Sequence, residues 1–169
     1  MRLKGYLMLA ALVLFVQVFV LNNLSISPYI APMVYIVLIV MMPIEASQWK
    51  MLGVAAALGL LMDFTMGTLG LNMLVTMPVA YFRRPILYTF TGLSTISKEE
   101  GMPTLRKLGV RFHRYAITLI VIHSVLFYLA EWLSFNNFGT LVLRILISTL
   151  ISLLLDYVIM MLFMKRLSA

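Results

Sequence analysis

The sequence predicts an all-α integral membrane protein with six transmembrane helices and both termini in the cytoplasm. Three observations lead there. Hydrophobic residues make up 63% of the 169 and charged residues only 11%, with a mean hydropathy of +1.03. A soluble chain this short has no interior large enough to hide that much apolar surface. Several apolar runs approach the roughly 20 residues needed to cross a bilayer. When six spans are drawn, nearly all basic residues fall on one side. No polar stretch is long enough for a separate soluble unit, so residues 1–169 read as one membrane domain.

The spans fall at about 5–22, 29–44, 49–66, 69–84, 113–133 and 139–164. The first run follows Arg2 and Lys4, as a signal peptide would. It exceeds a usual signal core, and Leu21-Asn22-Asn23 is no small-residue cleavage site, so it reads as a retained helix. Six spans place Arg2, Lys4, Lys50, Arg83, Arg84, Lys98, Arg106, Lys107, Arg111, Arg114, Lys165 and Arg166 on one side. These are all of the 13 basic residues except Arg144. The positive-inside rule makes that side cytoplasmic. The net charge of +7 is then accounted for by attraction to anionic lipid, with no nucleic acid required. With no cysteine in the chain, disulfides, thiol catalysis and thiolate metal sites are excluded.

Spans three and four form a hairpin around Gly59-Leu60-Leu61-Met62-Asp63-Phe64-Thr65-Met66-Gly67-Thr68-Leu69-Gly70. A charge so deep in an apolar run has a partner or a function. Helix rise puts Asp63 about 18–20 Å from Lys50–Met51 and Asn72 about 18 Å from Arg84, so the two are expected to face each other. The turn at Thr68 comes out about 24 Å deep, short of a hydrocarbon core of about 30 Å. Its backbone groups must therefore be satisfied by protein. Gly67 and Gly70 permit the tight bend. Two roles stay open for Asp63: accepting bonds from the turn amides and the start of span four, or serving as a proton or ion site. Ala55, Gly59, Asp63 and Gly67 recur every four residues, a small-residue row that lets another helix approach closely.

The sizeable loop, 85–112, is cytoplasmic and basic, with Arg106, Lys107 and Arg111 as candidates to meet a partner or anionic lipid. Its part 104–112 is amphipathic, with Leu105, Leu108, Phe112 and Tyr115 on one face. It reads either as a helix in the headgroup layer or as an ordinary basic flank. Ser97-Lys98-Glu99-Glu100 has the form of a capping box, cut short by Gly101 and Pro103. In spans five and six, His123 and Asp156 come out at equal depth, about 13 Å from the inner side. Glu131 and Arg144 both fall near the outer side. Two cross-helix pairs are expected, His123 with Asp156 and Glu131 with Arg144. Arg144, Ser148, Ser152 and Asp156 form a polar stripe, read either as interhelical glue or as the lining of a polar cavity.

Catalytic signatures are missing. The two histidines, His113 and His123, make no H-E-x-x-H, and there is no G-x-S-x-G and no P-loop. Asp63 and Asp156 are not in the G-x-G-D context of an intramembrane aspartyl protease. Glu99-Glu100 lacks a histidine at the spacing of a glutamate-based prenyl-protein protease. The expectation is a protein without catalytic activity, cofactor or metal.

Taken in order, the residues resemble the rod shape-determining protein MreD family over nearly the whole chain. The similarity includes Gln17 to Asn23, Pro28-Tyr29-Ile30-Ala31-Pro32 with Tyr35 and Pro43, and Gly59-Leu60-Leu61-Met62-Asp63. It continues through Gly67-Thr68-Leu69-Gly70-Leu71, Ala80-Tyr81-Phe82-Arg83-Arg84-Pro85, Arg114-Tyr115-Ala116 and Ile122-His123. It ends with Leu129-Ala130-Glu131, Phe135 and Leu143-Arg144-Ile145-Leu146-Ile147-Ser148. The Asp–Gly–Leu-Gly element is the most specific piece, and Ala130-Glu131 stands where the family usually has Leu-Glu. The resemblance implies a fold similar to the S-components of energy-coupling-factor vitamin transporters. It also implies a non-catalytic inner-membrane scaffold of the bacterial cell-wall elongation complex, with MreC, MreB, RodA and a class B penicillin-binding protein as partners. The alternative is a vitamin-binding S-component. Those commonly dock their transport partner through Ala-x-x-x-Ala in the first helix, whereas Leu14 and Phe15 follow Ala10 and Ala11 here.

Overall fold

The computed structural model describes residues 2–23, 32–92, 101–132 and 138–168. Among them the regular structure is helical throughout. Among the described residues, four helices are long and apolar enough to cross a membrane: Gly5–Asn23, Gln48–Met66, Arg111–Glu131 and Leu141–Met164. The protein is a membrane protein by this measure.

Helix α1 is regular over Arg2–Phe15, widens into a π turn at Val16–Val20 and ends in a 3-10 turn at Leu21–Asn23. Its outer face presents Leu7, Leu12, Phe15 and Phe19, all exposed. On its inner face Gln17 is buried within the π turn, the kind of local widening that re-aims one side chain.

The stretch 29–44, expected as the second span, differs from that expectation. Residues 24–31 lie outside the described set. In the remainder the one helical turn is α2, Val37–Val40. Pro32 and Pro43 bracket the segment, and β-branched residues fill it, both unfavourable to a long helix. Each residue from Met33 to Met41 is at most 3% exposed. The turn touches α1 and the three helices described next as α3, α4 and α6. Non-helical backbone is tolerated at membrane depth only when protein surrounds it like this.

Helix α3, Gln48–Met66, starts at Ser47, whose hydroxyl accepts from the Lys50 N–H at 3.4 Å. It ends at Gly67 with φ 67°. Helix α4 follows over Leu71–Thr91, so it continues past residue 85, where a loop was expected. It matches the other long helices in length but is less apolar, because its buried face carries Asn72, Thr76 and Arg83. Pro85 lacks an N–H and so leaves the carbonyl of Tyr81 without its helical partner. Gln48 Nε2 from α3 fills that place at 3.0 Å. At Gly59 the backbones of α3 and α4 come close together. A Cβ built there would lie 2.4 Å from Met73 Cα, which the small-residue row on α3 prevents.

The amphipathic pattern at 104–112 does not give one surface helix. A single turn, α5, spans Leu105–Leu108, and Gly109 with φ 56° breaks it before α6 begins. The apolar face turns inward, with Leu108, Phe112 and Tyr115 in the core. Helix α6 runs over Arg111–Trp132 and α7 over Phe138–Ser168. The capping-box residues 97–100 lie outside the described set. Helix α4 packs on α3 and α6, and α6 packs on α7.

Candidate functional site

One polar cluster in this apolar bundle begins at Asp63, in the last turn of α3. Its carboxylate accepts four hydrogen bonds. Thr68 Oγ1 donates to Oδ1 at 2.6 Å, Asn72 N at 2.8 Å and Asn72 Nδ2 at 3.1 Å, while Met73 N donates to Oδ2 at 3.0 Å. The Asp63 carbonyl also accepts the Thr68 N–H at 3.0 Å, closing α3 around Gly67. Gly70, with φ 82°, precedes α4 and has no side chain to cap it. Asp63 supplies that cap from across the turn, binding the first N–H groups of α4 where a negative charge is favoured.

From Asp63 the polar contacts continue inward. Asn72, fully buried on α4, accepts from Tyr35 Oη at 3.2 Å. Tyr35 Oη also lies 3.1 Å from Thr76 Oγ1 and 2.8 Å from His123 Nε2. Four separate stretches of chain thus meet along the line Asp63–Asn72–Tyr35–His123. The Tyr35 hydroxyl has one proton for these three neighbours, and Thr76 Oγ1 itself donates to the Asn72 carbonyl at 2.7 Å. His123 Nδ1 has no hydrogen-bond partner among the described residues.

A second group of side chains holds the buried segment 33–42. Gln17 Oε1 accepts from Val34 N at 2.7 Å, and its Nε2 reaches Pro32 O at 3.4 Å. Ser152 Oγ on α7 accepts from Met33 N at 2.9 Å. Tyr6 donates to Leu38 O and Tyr115 to Val40 O, each at 2.9 Å. Arg83, fully buried, donates to the carbonyls of Val40 and Met42. It also lies 3.2 Å from Met51 Sδ, and its guanidinium sits 5.9 Å from the Tyr115 ring centroid. Sequence reasoning placed Arg83 among the basic flanks. The structure instead buries it, because non-helical backbone leaves carbonyls that a forked donor can satisfy.

The remaining candidates divide. Glu131 and Arg144 form their expected pair, Oε1 to Nη2 at 3.1 Å, half-buried between α6 and α7. The Arg144 guanidinium also lies 5.7 Å from the Tyr128 ring centroid. The expected pair of His123 with Asp156 does not form: His123 is committed to Tyr35, and neither carboxylate oxygen of the buried Asp156 has a hydrogen-bond partner among the described residues. The stripe of Ser148, Ser152 and Asp156 is buried. Arg106 and Arg111 are exposed and Lys107 is half-buried. Arg111 Nη1 donates to Thr91 O at the C-terminal end of α4, at 3.2 Å.

Tyr35, Gln17, Arg83 and Tyr115 were not singled out from the sequence as site residues. A lone amide or hydroxyl inside an apolar run was the available signal, at Gln17 and Tyr35. No group of three or more His, Asp or Glu able to hold a metal occurs among the described residues. No family model, curated protein or solved structure matches the chain.

Proposed function

We propose that this protein is a non-catalytic scaffold of the MreD type in the bacterial cytoplasmic membrane, working in the cell-wall elongation complex that maintains rod shape. The observation that carries the reading is the filled centre of the bundle. Residues 33–41 occupy the middle of the helices, each at most 3% exposed, and are tied there by Gln17, Ser152, Tyr115, Tyr6 and Arg83. A vitamin-binding S-component needs that space for its ligand. Polar groups that elsewhere would converge on a ligand are spent here on the chain's own backbone. This favours a protein whose product is its surface.

The family-like element around Asp63 fits the same reading, since its carboxylate is wholly engaged in building the hairpin. In this reading the chain crosses the membrane six times with both termini inside. The buried segment makes the second crossing, running antiparallel to α1: Val34 meets Gln17 and Leu38 meets Tyr6. Arg106, Lys107 and Arg111 then face the cytoplasm, towards MreB filaments or anionic lipid. The opposite ends face MreC, RodA and the class B penicillin-binding protein.

Depletion from a rod-shaped host that depends on the protein tests the reading. Rounding of the cells and co-purification of MreC and RodA in detergent are the expected results. Retained rod shape after depletion contradicts it. Reversing the charges of Arg106, Lys107 and Arg111 should weaken one cytoplasmic association, and unchanged binding of every partner removes the loop from the interface.

A further inference from the structure

Between helices α6 and α7 lies a partly open groove of about 290 Å³, lined by Ala116, Ile117 and Ile120 on one wall and Leu150, Leu153 and Leu154 on the other. His113 and Tyr157 face each other near its lower end, with ring centroids 5.5 Å apart, beside Phe112 and Met160. Both walls are helices long and apolar enough to cross a membrane.

We infer that this groove holds one acyl chain of an anionic phospholipid of the cytoplasmic leaflet, with the phosphate at the His113 end. Its length carries the assignment. From Phe112 to Ile120 on α6, and from Met160 to Leu150 on α7, the walls rise about 12–15 Å at 1.5 Å per residue. Half of a hydrocarbon core of about 30 Å is what one lipid chain occupies, whereas a partner's transmembrane helix needs the whole of it. Charge carries the headgroup assignment. Arg111, His113 and Arg114 lie in the first turn of α6. Basic residues at that end favour an anionic lipid over a zwitterionic one. The inference rests on the membrane placement of α6 and α7 and not on the elongation-complex reading.

Brominated lipids test it, since bromine quenches a nearby tryptophan. With Trp49→Phe and Trp132→Phe as background, Leu154→Trp reports from the groove and Leu12→Trp from the exposed face of α1. Each protein is placed in phosphatidylcholine vesicles containing a minor fraction of brominated phosphatidylglycerol, or the same fraction of brominated phosphatidylcholine. The groove reporter should prefer phosphatidylglycerol by about five-fold, the preference that one basic residue at an anionic surface supplies. The α1 reporter, which has Arg2 and Lys4 on its helix but lies outside this groove, should show a smaller preference. His113→Gln with Arg114→Gln should lower the groove reporter's preference, leaving only what Arg111 supplies. Equal quenching of the groove reporter by both lipids overturns the inference, as does protection from both, which would mean that a second copy or another protein covers the groove. The unaltered chain gives an independent readout. Native mass spectrometry with equimolar phosphatidylglycerol and phosphatidylcholine should retain mainly the anionic adduct, and equal retention overturns the inference.

Discussion

Asn72 binds Asp63 twice, through its backbone N–H at 2.8 Å and its side-chain amide at 3.1 Å, both to Oδ1. One residue on α4 thereby fixes the carboxylate of α3. The same asparagine passes the contact on to Tyr35. The hairpin turn and the bundle centre are therefore joined by a single side chain, fully buried.

Asp63→Ala should be strongly destabilising. It leaves the donors of Thr68, Asn72 and Met73 without an acceptor, where lipid offers none. Hydrogen bonds to charged groups and lost helix caps together point to about 2–4 kcal/mol. Asp63→Asn keeps one acceptor oxygen and should lose less. Denaturation of the purified protein in mixed micelles, followed by far-UV circular dichroism, compares the two. Equal losses for both variants would show that the oxygen kept by asparagine contributes nothing without the carboxylate's charge.

Gly59→Ala should cost about 1–3 kcal/mol by overpacking, because the new methyl meets the backbone of Met73, which cannot rotate away. Gly53 is the internal control on the same helix. A Cβ there meets nothing within 4 Å, so Gly53→Ala should be neutral or gain up to about 1 kcal/mol from helix propensity. The same unfolding measurement reads both, and identical effects would remove close α3–α4 contact as the reason for Gly59.

The sequence made α1, α3, α6 and α7 legible because each is a long apolar run between polar ends. The cross-turn contact of Asp63 with Asn72 was legible because helix rise is constant, so depth can be counted from either anchor. Depth does not give direction around a helix. That is why His123 was paired with Asp156 at equal depth although it turns to Tyr35. Residues 33–41 were misread for a different reason. An apolar run buried on every side looks the same whether it is helical or not, and periodicity cannot separate the two. The bracketing Pro32 and Pro43, and the carbonyl-seeking side chains around the run, Arg83 above all, distinguish them.

Tyr35→Phe removes the hydroxyl on which Asn72, Thr76 and His123 converge, while the ring keeps its packing. The expected loss is about 1–3 kcal/mol, the cost of leaving buried polar partners unsatisfied. A double-mutant cycle with His123→Ala isolates the 2.8 Å contact. Its coupling should fall near 0.5–1.5 kcal/mol, about the range of interhelical hydrogen bonds inside membrane proteins. Strict additivity of the two substitutions would remove the Tyr35–His123 bond from the bundle's stabilising contacts.

Arg83→Met should loosen the buried segment more than the helices around it. Methionine fills much of the arginine's volume but donates nothing, so the carbonyl of Met42 loses the donor it has and that of Val40 keeps only Tyr115. Arg83→Lys retains the charge but not the planar fork that reaches two carbonyls and lies near the Tyr115 ring. Both variants should therefore open the segment locally, the methionine more than the lysine. Hydrogen exchange in detergent micelles reads this directly. Amide protection at Val37 to Met42 should fall by about ten-fold or more, equivalent to roughly 1.4 kcal/mol of local opening. Protection in the middle of α7, remote from Arg83, should stay near its starting value. A uniform fall along the whole chain would mean that Arg83 supports global stability rather than this segment. Unchanged protection at Val37 to Met42 would mean that other contacts hold the segment in place.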